Sequence, residues 1–275
     1  MASATTAKVA TITGAASGIG RAAAARLHRL GYAVALADVD QANLQVAERE
    51  LLARGASVVS VVTDVSDAAA CRRLTDVVCD RFGRIDVMVN SAGVVRPGAV
   101  DAVSDADVEL ELRVNLLGVI NACRAVLPVM RRQGSGHIVN IASLAALVPL
   151  PGEAVYCASK YGVRGFSLAL ALELRRTRLR VSVVYPDSTE TAMLEYEATH
   201  GGAPLSFSGK ILRPDDIATA VVRAVQTGKR EIAVPRSRGW LALAGELFPG
   251  LRDVLIDRLE RIGTRELSRR GRGTG

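Results

Sequence analysis

The chain has 275 residues, 49% of them hydrophobic, with 35 basic side chains against 28 acidic ones and a net charge of +7. The length suits one continuous α/β core rather than a string of small domains. The positive charge does not make the chain a nucleic-acid binder: only Lys8, Lys160, Lys210 and Lys229 are lysines, the arginines are spread along the helices, and no aromatic residues interleave with a basic stripe.

In chain order, strands are predicted near 8–13, 32–37, 57–62, 85–90, 137–142, 180–185 and 231–235, and helices near 18–30, 40–54, 67–82, 104–132, 156–176 and 214–227. The strands are continuously apolar rather than alternating. That pattern predicts a doubly wound parallel sheet of about seven strands, covered by helices on both faces in a single domain. No internal repeat or low-complexity linker interrupts it. Residues 1–7 lack a charged flank and a long apolar core, so no secretory signal is expected. No apolar run reads as long enough to span a bilayer, and a cytoplasmic protein is expected.

The first strand leads directly into Gly14, Ser17, Gly18, Ile19 and Gly20 and then into an alanine-rich helix. A strand, a glycine-rich turn and a helix amino terminus make an anion site, because bare N–H groups and the helix dipole face the same point. The second strand ends at Asp38, eighteen residues after Gly20. A carboxylate there accepts hydrogen bonds from a ribose and repels a 2′-phosphate, although Asp38 also reads as a cap for the helix near 40. Further along, Ser143 ends a strand, Tyr156 follows thirteen residues later, and Lys160 lies one helical turn beyond Tyr156. An ammonium beside a phenol favours phenolate, which suits proton exchange with an alcohol; the alternative is an ordinary helix-surface pair. Cys71, Cys79, Cys123 and Cys157 have no metal-like spacing, nor do His28, His137 and His200, so reduced thiols and no metal site are expected.

Taken together, these motifs resemble those of the classical short-chain dehydrogenase/reductase family over about residues 8–235, with its Rossmann-like fold. The resemblance places Asp64 and Val65 against an adenine ring and Asn90, Ala92 and Gly93 in the family's NNAG-like segment, here with Ser91 as its second residue. It makes Asn115 the asparagine of a proton relay that also contains Ser143, Tyr156 and Lys160. It adds Pro186, Thr189 and Thr191 to the cofactor contacts. One departure is Asp187, where the family usually has glycine after proline. That residue reads either as a carboxylate facing the reacting centre or as a turn cap.

The implied function is an oxidoreductase that moves a hydride between NAD(H) and a secondary alcohol or ketone, with NADP less favoured because of Asp38. Leu147, Leu150, Met193, Leu194, Leu205 and Phe207, together with Asp187, are the expected substrate contacts. They predict a neutral, hydrophobic small-molecule substrate, with 187–212 as a substrate loop hinged at Gly201 and Gly202. Two other readings are a catalytically weak dinucleotide-binding sensor and an NADP(H)-dependent carbonyl reductase. A homodimer or homotetramer is implied through the helices near 104–132 and 156–176. Beyond the 1–235 domain, residues 236–275 form an arginine-rich helical extension with Leu251, Val254, Leu255, Leu259 and Ile262 along one side and Arg252, Arg258, Arg261, Arg265, Arg269 and Arg270 around it. Asp253, Asp257, Glu260 and Glu266 dilute that basic face, so packing onto the protein is favoured over peripheral contact with a membrane.

Overall fold

The computed structural model describes residues 7–271, so most of the stretch read for a secretory signal lies outside the described residues. The side chains of Leu251, Arg252 and Arg270 also lie outside them. Strand β1 (Val9–Thr13) leads to α1 (Gly18–Arg29), β2 (Ala33–Asp38), α2 (Gln41–Leu52), β3 (Val58–Val62), α3 (Ala68–Phe82) and β4 (Val87–Asn90). The second half runs through α4 (Asp105–Leu112), a π-helical turn (Arg113–Leu117), α5 (Gly118–Gln133), β5 (Gly136–Ile141), α6 (Ala154–Glu173) and β6 (Leu179–Pro186). It continues with α7 (Ala192–Thr199), α8 (Pro214–Thr227), β7 (Glu231–Val234), α9 (Arg236–Leu247) and α10 (Pro249–Gly271).

All seven strands are parallel, in the order β3-β2-β1-β4-β5-β6-β7. The pleat explains the uniform apolar strands. Val9 faces a core built with Leu74, Val78 and Phe82 of α3, Val126 and Met130 of α5 and Val163 of α6. Its neighbours Ala10 and Ile12 face the opposite core, built with Leu27 of α1, Leu44 of α2 and Ile217 of α8. Both faces are covered, so neither tolerates polar alternation. Strand order reverses between β1 and β4, the switch point at which open sheets of this kind bind ligands beyond the carboxyl ends of their strands.

Three expectations change. The helix near 104–132 is divided by the π-helical turn that contains Asn115, and the one near 156–176 starts at Ala154. The loop 187–212 contains α7 and a short 3-10 turn at Pro204–Phe207. There the Gly201–Gly202 pair ends the helix: the Gly202 N–H donates to the Glu197 carbonyl at 2.7 Å, and Gly201 takes φ +77°. Finally, the stretch Asp105–Gln133 is long and apolar enough to cross a membrane by length and composition, with mean hydropathy 1.4 over an 18-residue window. This corrects the bilayer expectation drawn from apolar runs alone. One side of the stretch nonetheless turns Val119, Cys123, Val126 and Met130 into the core beneath the sheet.

Phe82 ends α3 at 2% exposure, inside the core that backs β1 and β4. Phe82→Ala is expected to destabilise the protein by about 3–5 kcal/mol, through lost burial and the cavity left behind. Urea unfolding checks this, and a loss below about 1 kcal/mol would mean that the site collapses around the smaller side chain.

Candidate active site

The glycine turn after β1 is set by backbone contacts that no side chain fits. Gly14 has φ +65°, and a Cβ there would lie 2.7 Å from the Ala92 nitrogen. On Gly20 a Cβ would lie 2.1 Å from the Gly14 carbonyl oxygen. The β1 turn, the start of α1 and the segment after β4 are therefore pressed together. Ser17 caps α1 without a side-chain bond, which leaves the first-turn N–H groups for an anionic ligand.

A groove of about 680 Å³ opens beside this turn, lined by Gly14, Ser17, Gly18, Ile19 and Gly20, then Asp38, Asp64 and Val65, then Ala92, Gly93 and Thr191. Sequence reasoning missed Val39, Thr63, Arg96 and Tyr196, which also line it. Arg96, after β4, and Tyr196, on α7, meet with the guanidinium carbon 5.1 Å from the ring centroid. Asp38 is fixed at the mouth: its Oδ2 accepts from the Ala16 N–H at 2.9 Å and its Oδ1 from the Asp40 N–H at 3.1 Å. The α2 cap is Asp40 rather than Asp38. Glycine contacts, an uncapped helix start and an anchored carboxylate together fit a dinucleotide.

Asn90 departs from expectation. It is 2% exposed, lies outside the groove lining, and donates to Asn140 Oδ1 at 2.7 Å in a buried polar chain that continues from Asn140 to Ser167. Its side chain joins strands β4 and β5. Pro186 and Thr189 line the adjoining cavity rather than the groove.

The four residues expected to form a relay converge where the strand ends meet. Asn115 is fully buried in the π-helical turn, accepts from the Val94 N–H at 2.8 Å and donates to the Val94 carbonyl at 2.8 Å. Lys160 is 4% exposed, and its Nζ lies 3.4 Å from the Ile141 carbonyl and 5.4 Å from the centre of the Tyr156 ring. Ser143 accepts from the Ala145 N–H at 3.1 Å and shares a cavity with the Tyr156 phenol, whose ionised form it favours. Cys157 also has a role: its Sγ accepts from the Leu150 N–H at 3.2 Å and fixes the segment between Ser143 and Tyr156. Among the described residues all four cysteines are free thiols, and no group of three His, Cys, Asp or Glu side chains is placed to hold a metal.

The phenol of Tyr156 is raised rather than lowered, and by burial first. Burial pushes the phenol well above its ordinary value, Glu197 and Glu153 push the same way, and Ser143 opposes them. Lys160 is lowered to about 8 by burial, against a pull upward from Glu111. Glu111 is itself raised to about 7 by burial, with the Arg96 N–H as its main stabilising contact. Desolvation outweighs pairing throughout this pocket.

A second cavity, of about 170 Å³, contains Ser143 and Tyr156 and shares Ile19, Ser91, Thr191 and Met193 with the groove. Of the expected substrate residues, Leu150, Met193, Leu194, Leu205 and Asp187 line it. Leu147 and Phe207 do not: Leu147 packs in the core beneath α6, and Phe207 is buried on the far side of its turn, toward Ile262 of α10. Alternate residues of a short turn point in opposite directions, which a list of apolar side chains does not reveal. The extension supplies the unforeseen wall, with Leu241 of α9 and Leu255, Ile256 and Leu259 of α10. Arg238 of α9 lies 3.0 Å from Asp187, whose Oδ1 also accepts from the Ser188 N–H. Both readings of Asp187 are thereby altered, because it caps its turn while its charge is met by a guanidinium.

The short chain dehydrogenase family profile matches residues 8–201. The chain is 38% identical over 219 residues to a D-threitol dehydrogenase from Mycolicibacterium smegmatis, covering 78% of this chain and 84% of that one. A short-chain dehydrogenase/reductase from Burkholderia phymatum in complex with NAD superposes with TM-score 0.82 and 31% identity, over 90% of this chain and 95% of that one. An actinorhodin polyketide ketoreductase with NADPH superposes with TM-score 0.79 and 31% identity, over 84% and 97%.

Burying Lys160 has a measurable consequence for stability. Burial lowers its ammonium to about 8 from an ordinary 10.5, so between those values the unfolded chain holds the additional proton and stability rises with pH. Below pH 8 the full cost of the buried charge is present. Lys160→Met is expected to stabilise the fold at pH 7 by about 1–3 kcal/mol, with the gain shrinking toward pH 10. Urea unfolding at both pH values checks this, and a variant less stable than wild type at pH 7 would mean that the ammonium is held favourably.

Proposed function

This chain belongs to the short-chain dehydrogenase family, and from that premise we propose that it interconverts a neutral, largely hydrophobic secondary alcohol and its ketone using NAD(H). The observation that carries the reading is the largely apolar cavity that holds Ser143 and Tyr156 and shares a wall with the glycine-lined groove. When bound, the nicotinamide dinucleotide supplies the hydride acceptor or donor. Gly14, Ser17, Gly18 and Gly20 would hold its phosphates, and Asp38 its adenosine ribose.

Tyr156 exchanges the proton with the substrate oxygen, and Ser143 steadies that oxygen by hydrogen bonding. Lys160 and Asn115 lie behind Tyr156, held by the Ile141 and Val94 backbones, and complete the relay. Burial beside Glu197 and Glu153 favours the protonated phenol. In that state Tyr156 is set to give its proton to a developing alkoxide, and alcohol oxidation should speed up toward alkaline pH.

Preference for NAD rests on Asp38. The relatives bind either form of the cofactor, so the choice follows from a carboxylate locked by the Ala16 N–H and flanked by Val39, which carries no positive charge. A 2′-phosphate would meet that carboxylate directly.

Three outcomes are expected from steady-state assays on a panel of alcohols and ketones. NAD should exceed NADP in kcat/KM by roughly 30-fold to 1000-fold, corresponding to about 2–4 kcal/mol, with Asp38→Ser narrowing the gap. Tyr156→Phe should abolish turnover while the dissociation constant of NAD stays within about threefold. Equal efficiency with the two cofactors would remove the role given to Asp38, and near-normal turnover in Tyr156→Phe would remove the mechanism. Light scattering should give a dimer or tetramer, because α4, the π-helical turn and α6 expose Leu110, Leu117, Tyr161 and Leu172. A monomer at micromolar concentration would leave those side chains without that explanation.

A further inference from the structure

Glu153 and Glu197 line the same cavity as Ser143 and Tyr156, and neither takes part in proton exchange. Glu153 is 2% exposed and immediately precedes α6, three residues before Tyr156. Glu197 is 7% exposed on α7, in the segment that closes the cavity. Glu153 is tied to that segment by one bond, its Oε1 accepting from the Ala203 N–H at 2.9 Å, and Ser206 of the same segment favours the ionised form of Glu197.

Buried carboxyls ordinarily meet a cation or a full set of donors. Among the described residues this pair has neither. Arg238, in the same cavity, is engaged by Asp187 and donates to Ser208 Oγ at 3.0 Å. Lys160 lies behind Tyr156, toward Glu111 and the Ile141 carbonyl. One oxygen of each acid is thus left for whatever occupies the cavity, whose other walls include Leu150, Met193, Leu194, Leu205, Ile256 and Leu259.

We propose that Glu153 and Glu197 are the specificity residues of the cavity and accept a hydrogen bond from a second hydroxyl of the substrate, so that the preferred substrate is an apolar diol or its hydroxyketone. This rests on the alcohol–ketone reading of the site. Both carboxyls lie within electrostatic reach of the Tyr156 phenol, which places the second hydroxyl near the reacting carbon. A hydroxyl suits the pair better than an ammonium. Burial and mutual repulsion raise Glu197 to about 8 and raise Glu153 as well, so the pair holds a proton at neutral pH. It therefore offers an acceptor and a donor, both of which a hydroxyl uses, whereas a cation would have to leave water for an apolar cavity.

The test compares cyclohexanol, trans-1,2-cyclohexanediol and trans-2-aminocyclohexanol. It reads kcat/KM with NAD, and separately the dissociation constants on Tyr156→Phe enzyme saturated with NAD, where no turnover intervenes. The diol should have at least about a tenfold higher kcat/KM and at least about a tenfold lower dissociation constant than cyclohexanol, the discrimination that a hydrogen bond to an ionised partner supplies. Glu197→Leu should bring that ratio within about threefold of unity. Glu153→Gln, which keeps an acceptor for the Ala203 N–H, should lower it by a smaller factor. Because the ratio is internal to each variant, a general loss of folded enzyme does not move it. A wild-type ratio near one, a ratio unchanged in Glu197→Leu, or the amino alcohol binding more tightly than the diol would each overturn the proposal. If none of the three turns over with NAD or NADP, the alcohol–ketone reading fails, while the dissociation constants still decide the role of the pair.

Discussion

The active site is organised around a charge that the fold has taken out of water. Lys160 is almost wholly buried, and its ammonium reaches only the Ile141 carbonyl at 3.4 Å. Gly93 packs beside it: a Cβ there would lie at ordinary contact distance, 3.5 Å, from Lys160 Nζ and at a tight 3.3 Å from Asn115 Oδ1. Asn115 in turn is clamped at both ends to the Val94 backbone, and the π-helical turn carries it at the point where α4 passes into α5. Glycine, asparagine, turn and lysine form one packing problem.

The carboxyls around this site show the same conflict with the opposite sign. Glu111, Glu153 and Glu197 are all raised by burial. A raised acid holds its proton longer in the fold than in the unfolded chain, so its contribution to stability is full below its ordinary value and is lost as pH rises, toward about 7 for Glu111 and about 8 for Glu197. Lys160 gains over the next interval upward. The opposed trends keep the site from being electrostatically comfortable at any single pH. Tyr156 is governed by these acids and by burial more than by the lysine one turn away.

Much of this was legible in the chain. Continuous apolar strands gave the parallel sheet because both faces are covered, and the glycine turn was legible because only glycine fits where a Cβ would strike the Gly14 carbonyl. Ser143, Tyr156 and Lys160 were legible from spacing, since a strand end and one helical turn fix their separation. What spacing does not carry is direction and environment. Asn90 sits in a motif that suggests a ligand, yet its side chain turns into the sheet toward Asn140. Phe207 and Leu205 lie two residues apart in one short turn and face different spaces. The phenol's proton affinity depends on Glu197, forty-one residues from Tyr156 in sequence and beside it in the fold.

The extension is where sequence reasoning had least to work with, and its contribution to the site is physical rather than chemical. Gly239 lets α9 sit against β7: a Cβ there would lie 2.2 Å from the Ala233 side chain. Gly263 does the same for α10, where a Cβ would lie 1.7 Å from the Pro204 carbonyl. With both helices seated, Leu241, Leu255, Ile256 and Leu259 close the cavity over Tyr156, and Arg238 reaches Asp187. That contact explains how a carboxylate is accommodated at 187. Left alone, Asp187 would be a buried anion opposite the reacting centre; beside Arg238 it becomes half of an ion pair that joins the end of β6 to the roof. The departure at 187 and the presence of α9 are therefore one feature, because the carboxylate is tolerable only where the extension brings the guanidinium.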